Sequence, residues 1–170
     1  MTTDMSRLRI VRRPLDHPDA RLLVEEVQAE YVELYGSPDE APIDASEFAE
    51  GAGAFYVAYR EAPDEEPRPV GTAAWRWVET PASLGGPGVG RSVELKRMYV
   101  RQELRRTGLA RRLLAHVEAD ARAAGATFVV LETGPKQVGA VTLYRSAGYA
   151  PVPDFGHYLA MGAHAFAKQL

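Results

Sequence analysis

Apolar and polar residues alternate along this chain in changing rhythms, and each change of rhythm marks an element. Leu8-Arg9-Ile10-Val11-Arg12 alternates weakly and is closed by Pro14, which reads as a short strand. From about Ala20 to Leu34, the residues Leu22, Leu23, Val27, Tyr31 and Leu34 recur at helical spacing, with Asp16 or Asp19 available as a cap and Gly36-Ser37-Pro38 as a stop. A short second helix around Phe48 follows. Residues 54–59 and 70–78 are strand-like, and the acidic, proline-bearing segment Glu61 to Pro69 joins them as an antiparallel hairpin. The stretch 79–92 carries Gly85, Gly86, Gly88 and Gly90 with Pro81 and Pro87, the composition of a mobile loop.

Val93 to Val100 forms the next strand, whose alternation puts Glu94, Lys96, Met98 and Val100 on one face. Thr107 to Ala124 then reads as a helix with Leu109, Leu113, Val117 and Ala121 on one stripe, ended by Gly125. Phe128-Val129-Val130-Leu131 suits a buried parallel strand, and Ala140 to Ala147 a short helix stopped by Gly148. Strand, helix, strand, helix in this order implies a right-handed parallel crossover in an α/β fold. Tyr158 to Met161 and Ala165 to Lys168 are expected as closing strands.

Length limits this picture to one domain over residues 1–170, and the hydrophobic fraction of 46% with 25% charged residues is that of a globular protein. Lys and Arg number 20 against 23 Asp and Glu, so no basic field exists to draw the chain onto nucleic acid. No run is apolar enough to span a bilayer, and no export segment is visible, so a cytoplasmic location without membrane partners is expected. The chain has no cysteine, hence no thiolate nucleophile. His17, His116, His157 and His164 show no metal-binding spacing, and no metal is expected. A homodimer through an exposed closing strand and the terminal FAKQL is a further expectation.

Chemistry concentrates between the strand Glu94 to Val100 and the helix that follows, in Arg101-Gln102-Glu103-Leu104-Arg105-Arg106-Thr107-Gly108-Leu109-Ala110. A strand feeding a tight turn into a helix points unpaired N–H groups outward, where the helix dipole adds positive charge, so the turn suits an anion. Gly108 admits close approach, and the guanidinium groups of Arg105, Arg106, Arg111 and Arg112 match phosphate oxygens in geometry and charge. A pyrophosphate is the natural ligand; a solvated basic helix start is the bland alternative.

The sequence resembles the GNAT superfamily, whose coenzyme A signature is Gln or Arg, two residues, Gly, one residue, Gly or Ala. Here it reads Arg105-Arg106-Thr107-Gly108-Leu109-Ala110. The resemblance extends to ELKRMYV before it, LETG at Leu131 to Gly134 and AVTLYRSAGY from Ala140 to Tyr149. It implies a three-layer fold with a mixed, mostly antiparallel sheet, a splayed central parallel strand pair and flanking helices. It also implies transfer of an acetyl group from acetyl-CoA to a primary amine of a small molecule or peptide, by direct attack in a ternary complex. Backbone groups of Met98, Tyr99 and Val100 would pair with the pantetheine arm, and amides from Arg106 to Ala110 would hold the pyrophosphate. Tyr144 would protonate the departing thiolate, and Gln137 stands where many members carry a coenzyme-touching Asn.

Amide formation from a thioester needs a neutral amine, a polarised carbonyl and a protonated leaving sulfur. The amide N–H near Tyr99 is the candidate for polarising the carbonyl. Glu94 is the candidate base or water-positioner, with a structural ion pair to Lys96, Arg76 or Arg97 as its other reading and Glu132 as a second candidate. Trp75 and Trp77 share a strand face as core or pocket wall. Asp39, Glu40, Asp44, Glu47 and Glu50 read either as a lure for a cationic amine or as a solvated face. The competing function is a non-catalytic coenzyme A-binding module. A nucleotide-binding regulator is disfavoured because the turn lacks a Gly-Lys-Ser/Thr ending.

Overall fold

In the computed structural model, which describes residues 7–41 and 43–170, the chain runs β1 (Leu8–Arg12), α1 (Pro18–Tyr35), β2 (Gly53–Arg60), β3 (Arg68–Val78), β4 (Ser92–Val100), α2 (Leu109–Ala123), β5 (Phe128–Thr133), α3 (Val138–Ser146), β6 (Ala150–Pro151) and β7 (His164–Gln169). The strands form one mixed sheet in the order β1-β2-β3-β4-β5-β7-β6, with β4 and β5 parallel. The expected α/β class and the parallel crossover through α2 are thus present. Two compact units divide the chain: Met1–Ala74 with Arg97–Ala115, and Trp75–Lys96 with His116–Leu170.

In the first unit β1 pairs antiparallel with β2 from Leu8↔Arg60 to Arg12↔Tyr56. The apolar stripe of α1 explains its docking: Ala20, Leu23 and Val27 are buried in one cluster with Phe48, Phe55, Val57, Tyr59, Ala74 and Tyr99. Each of the larger side chains, Leu23, Val27, Phe48, Phe55 and Val57, contributes roughly 1.5–3 kcal/mol by leaving water. The cap of α1 differs from expectation. His17 is the N-cap, its Nδ1 accepting from Asp19 N at 3.2 Å, because Pro18 occupies the first helical turn and moves the start ahead of Asp19. Around Phe48 the chain makes a 3-10 turn, Ala45–Phe48, with a full capping box from Asp44 and Glu47.

In the second unit the β4–β5 ladder comprises Ser92↔Phe128, Val93↔Val129 and Glu94↔Val130, and β5 pairs antiparallel with β7 over six residues. Tyr158 to Met161 is not a strand. Leu159–Met161 is a 3-10 turn closed by Gly162 at φ +84, whose left-handed backbone cannot continue a ladder. β7 lies between β5 and β6, the latter pairing Ala150↔Ala167 and Pro151↔Phe166, so that Phe166 and Ala167 of FAKQL are covered on both sides. The loop expected to be mobile is tethered: the Ser83 amide and hydroxyl both donate to Asp154, and Thr80 and Ser92 hydroxyls share a buried 2.9 Å bond. It forms a 3-10 turn at Ala82–Leu84 and lines a cavity of about 430 Å³ with Val78, Glu79, Asp154 and Phe155.

Candidate active site

The basic turn lies wholly in the first unit. A 3-10 turn over Gln102–Leu104 breaks β4 from α2, Arg106 and Gly108 adopt left-handed backbone at φ +64 and +88, and α2 begins only at Leu109, two residues later than the pattern predicts. The two left-handed residues prevent the helix from starting at Thr107. Arg112 N donates to Gly108 O at 3.1 Å, whereas the amides of Arg106 to Ala110 donate to no backbone acceptor among the described residues. A Cβ placed on Gly108 meets nothing within 4 Å, so the space beside this glycine is open. Leu109 itself is buried and offers only its amide, while Thr107 Oγ1 is spent on Leu104 O at 2.6 Å.

Arg105 does not project as a mobile cation. Its Nε donates to Val100 O at 2.9 Å and its Nη2 to Glu30 at 2.5 Å, so the signature arginine staples the turn to β4 and α1. Arg106 and Arg111 remain on the exposed side of the turn. Arg101 grips both oxygens of Glu26, and the Tyr99 hydroxyl donates to the same carboxylate at 3.2 Å. Hydrogen bonding from Arg101 holds the Glu26 carboxyl below its ordinary range. Burial, and after it Glu30 and Glu26, pushes the Tyr99 phenol up to about 12. Tyr99 and Val100 are buried and Met98 half-buried. Arg97 sits at φ +52, which interrupts the strand's alternation, and its carbonyl accepts from buried Thr72 Oγ1 at 2.7 Å. The period-two face expected through Met98 and Val100 therefore ends at this residue.

The second unit holds the remaining candidates. Glu94 is buried, with Oε2 accepting from Arg76 Nε at 2.8 Å and lying 2.8 Å from Arg76 Nη2, while Oε1 is 3.6 Å from Lys96 Nζ. Of the readings open in the sequence, the ion pair is the arrangement present. Tyr144 is buried on α3 and meets the Tyr149 ring edge-on, centroids 5.6 Å apart. Tyr149 donates to Glu118 at 3.0 Å, and Lys168 holds the other Glu118 oxygen at 2.9 Å. Burial, then Glu118, drives the Tyr149 phenol upward, fixing it as a neutral donor.

Gln137 turns inward: its Oε1 accepts from Thr133 Oγ1 (3.0 Å) and Gly134 N (2.9 Å), closing the exit from β5. Glu132 likewise anchors Tyr158 N at 3.0 Å. Trp75 is a core residue bound to Asp120 at 2.7 Å, and Trp77 lies under the Arg91 guanidinium, 3.7 Å from its ring centre. Sequence reasoning missed Glu26, Glu30 and Glu118. The first two stand four residues apart on α1, a spacing that puts both on one helix face. Among the described residues no helix is long and apolar enough to cross a membrane.

This architecture defines an acyltransferase fold, and the comparisons agree. The model of the acetyltransferase (GNAT) family matches residues 21–149. The chain is 33% identical over 136 residues to an IAA acetyltransferase of Azospirillum brasilense, covering 80% of either chain. It is 30% identical over 132 residues to human N-acetyltransferase 8, covering 78% of this chain and 54% of that one. In structure it is similar to Arabidopsis thaliana NAA60 in complex with a bisubstrate analogue, with a TM-score of 0.67 and 19% identity over 95% of this chain and 98% of that one. The chain belongs to the GNAT acetyltransferase family. It is an acyltransferase.

Proposed function

We propose that this chain transfers the acetyl group of acetyl-CoA to the primary amine of a small molecule or peptide, by direct attack in a ternary complex. The observation that carries this reading is the turn at Arg106 to Ala110. Among the described residues its amides donate to no backbone acceptor, and they stand beside the open space at Gly108 and at the start of a 15-residue helix. Such a cradle fits a diphosphate. Arg106 and Arg111 add charge, whereas Arg105 and Gln137 act by shaping the loops that carry the site.

When bound, acetyl-CoA supplies an activated acyl carbonyl and a thiolate leaving group. The β4 segment at Met98 to Val100 lies beyond the three residue pairs that join β4 to β5, which supports pairing of its backbone with the pantetheine arm. The Tyr99 amide polarises the carbonyl. The amine lone pair forms the new C–N bond as the C–S bond breaks, and sulfur leaves with the electron pair and takes the Tyr144 phenol proton. The phenol recovers a proton from solvent. The amine nitrogen gives its surplus proton to water. Glu94, committed to Arg76 and Lys96, orients that water and balances charge.

A screen of amines with acetyl-CoA, read by release of free thiol, tests the reading. Transfer to at least one amine class, with saturable coenzyme binding, is the expected result. Tight coenzyme binding without acetylation of any amine would leave only a carrier-binding role.

A further inference from the structure

Three arginines follow one another near the end of β4 and the basic turn, and the protein treats them differently. Arg101 is matched to both oxygens of Glu26, and Arg105 to Glu30 and Val100 O. Arg97 has no such match. Its side chain is 4% exposed, yet Nε and Nη1 donate to no acceptor among the described residues. Asp39, the carboxylate nearest it, stands 3.5 Å from Nη1 outside hydrogen-bonding geometry, and Asp39 Oδ1 already accepts from Ala41 N at 2.9 Å. Buried guanidinium donors are ordinarily satisfied, because an unmatched N–H held away from water loses its hydration without replacement.

The same residue carries left-handed backbone at φ +52, secured by the Thr72 hydroxyl on its carbonyl. Left-handed conformations of residues with a Cβ persist only where surrounding structure imposes them, and they gather at ligand sites. Arg97 directly precedes Met98, the first residue read above as pairing with the pantetheine arm. An acceptor fixed at Arg97 is therefore held beside the strand that presents the acyl group, which is what attack by a neighbouring amine requires.

We propose that Arg97 receives the carboxylate of the acceptor, so that the physiological substrate is a small amino acid bearing a free carboxylate rather than a simple amine. A planar two-oxygen anion matches the guanidinium fork. A dianion such as phosphate is disfavoured, since Asp39 already supplies one negative charge beside the group. Asp39 acts as the resident competitor that holds Arg97 until the acceptor arrives. This inference rests on the acetyl-transfer reading given above.

The test compares common amino acids with their C-terminal carboxamides, which keep the amine and lose the charge, using the full chain with acetyl-CoA. The expected result is a preference for the acid of about 100-fold in kcat/KM, lying mainly in KM. In Arg97→Gln that preference collapses toward unity, and in Asp39→Asn the KM for the acid falls. Equal use of acid and carboxamide by the unaltered protein overturns the proposal, as does a preference that survives Arg97→Gln. Should Arg97→Gln fail to fold, the unaltered protein and Asp39→Asn decide between the outcomes. Should no amine be acetylated, the catalytic reading fails by itself. Calorimetric titration of the same acids and carboxamides into coenzyme A-loaded protein then decides, with carboxylate-dependent binding supporting Arg97 and its absence overturning it.

Discussion

Replacing Gly108 with alanine separates the turn's service to the fold from its service to the coenzyme. The backbone there is left-handed at φ +88, a conformation that costs a residue with a Cβ about 1–2 kcal/mol. The lower backbone freedom of alanine in the unfolded chain returns roughly 0.4–1 kcal/mol of that. The new methyl meets nothing within 4 Å, so no packing clash is added. The net loss of stability is then about 1 kcal/mol, seen as a fall of roughly 2–4 °C in melting temperature for a chain of this size. Coenzyme binding responds more strongly. The methyl occupies the space through which phosphate oxygens reach the amides, and losing one charge-assisted hydrogen bond there removes about 1.5–3 kcal/mol. That is a rise of about 10- to 100-fold in Kd for coenzyme A. Thermal unfolding and calorimetric titration of the same preparation give both quantities, and Gly108→Trp should abolish binding while the protein stays folded. An affinity within twofold of the unaltered protein, alongside the expected small drop in melting temperature, would refute a diphosphate held at this turn.

Other outcomes follow from the same geometry. Tyr144→Phe should lower kcat by about 100-fold or more with the coenzyme Kd unchanged, the signature of a lost general acid; undiminished turnover removes Tyr144 from the mechanism. Glu94→Ala removes the carboxylate shared by buried Lys96 and half-buried Arg76 and should destabilise the protein by about 3 kcal/mol in chemical denaturation, whereas a neutral result would show the triad to be dispensable. Tyr99 keeps its proton in the folded state up to about pH 12 but loses it near 10 when unfolded, so its contribution is complete below pH 10 and declines as pH rises toward 12. Glu26 runs the opposite way: its folded-state carboxyl titrates below the ordinary 4.5, so its contribution is complete above that value and disappears as pH falls through the folded value. Urea titrations at both pH extremes, comparing the unaltered protein with Tyr99→Phe and Glu26→Gln, should show each dependence flatten in its own variant.

Sequence alone was enough for β1, whose alternation ends at Pro14, and for α1 and the crossover through α2, because these two helices bury a stripe whose period is written in consecutive residues, as Leu23 and Val27 show on α1. The basic turn was legible for a similar reason: a glycine between a strand and a helix is a local signal, and the amides it frees belong to the same ten residues. Of the two closing segments, Ala165 to Lys168 lies in β7 as its letters suggest, whereas Tyr158 to Met161 was not legible. Leu159 to Met161 has strand-like letters, and only the left-handed Gly162 behind it makes a turn of them.

What the tertiary structure decided is the fate of each charge. A string of letters gives Arg97, Arg101 and Arg105 the same chemistry. Their carboxylate neighbours come from α1 and the segment after it, 58 to 75 positions away in the chain, and pairing over such distances depends on folding rather than on spacing. Hence Arg105, the signature residue, proves to be a staple, Glu94 is held in an ion pair, and Arg97 is a buried cation beside Asp39 whose Nε and Nη1 find no hydrogen-bond acceptor among the described residues.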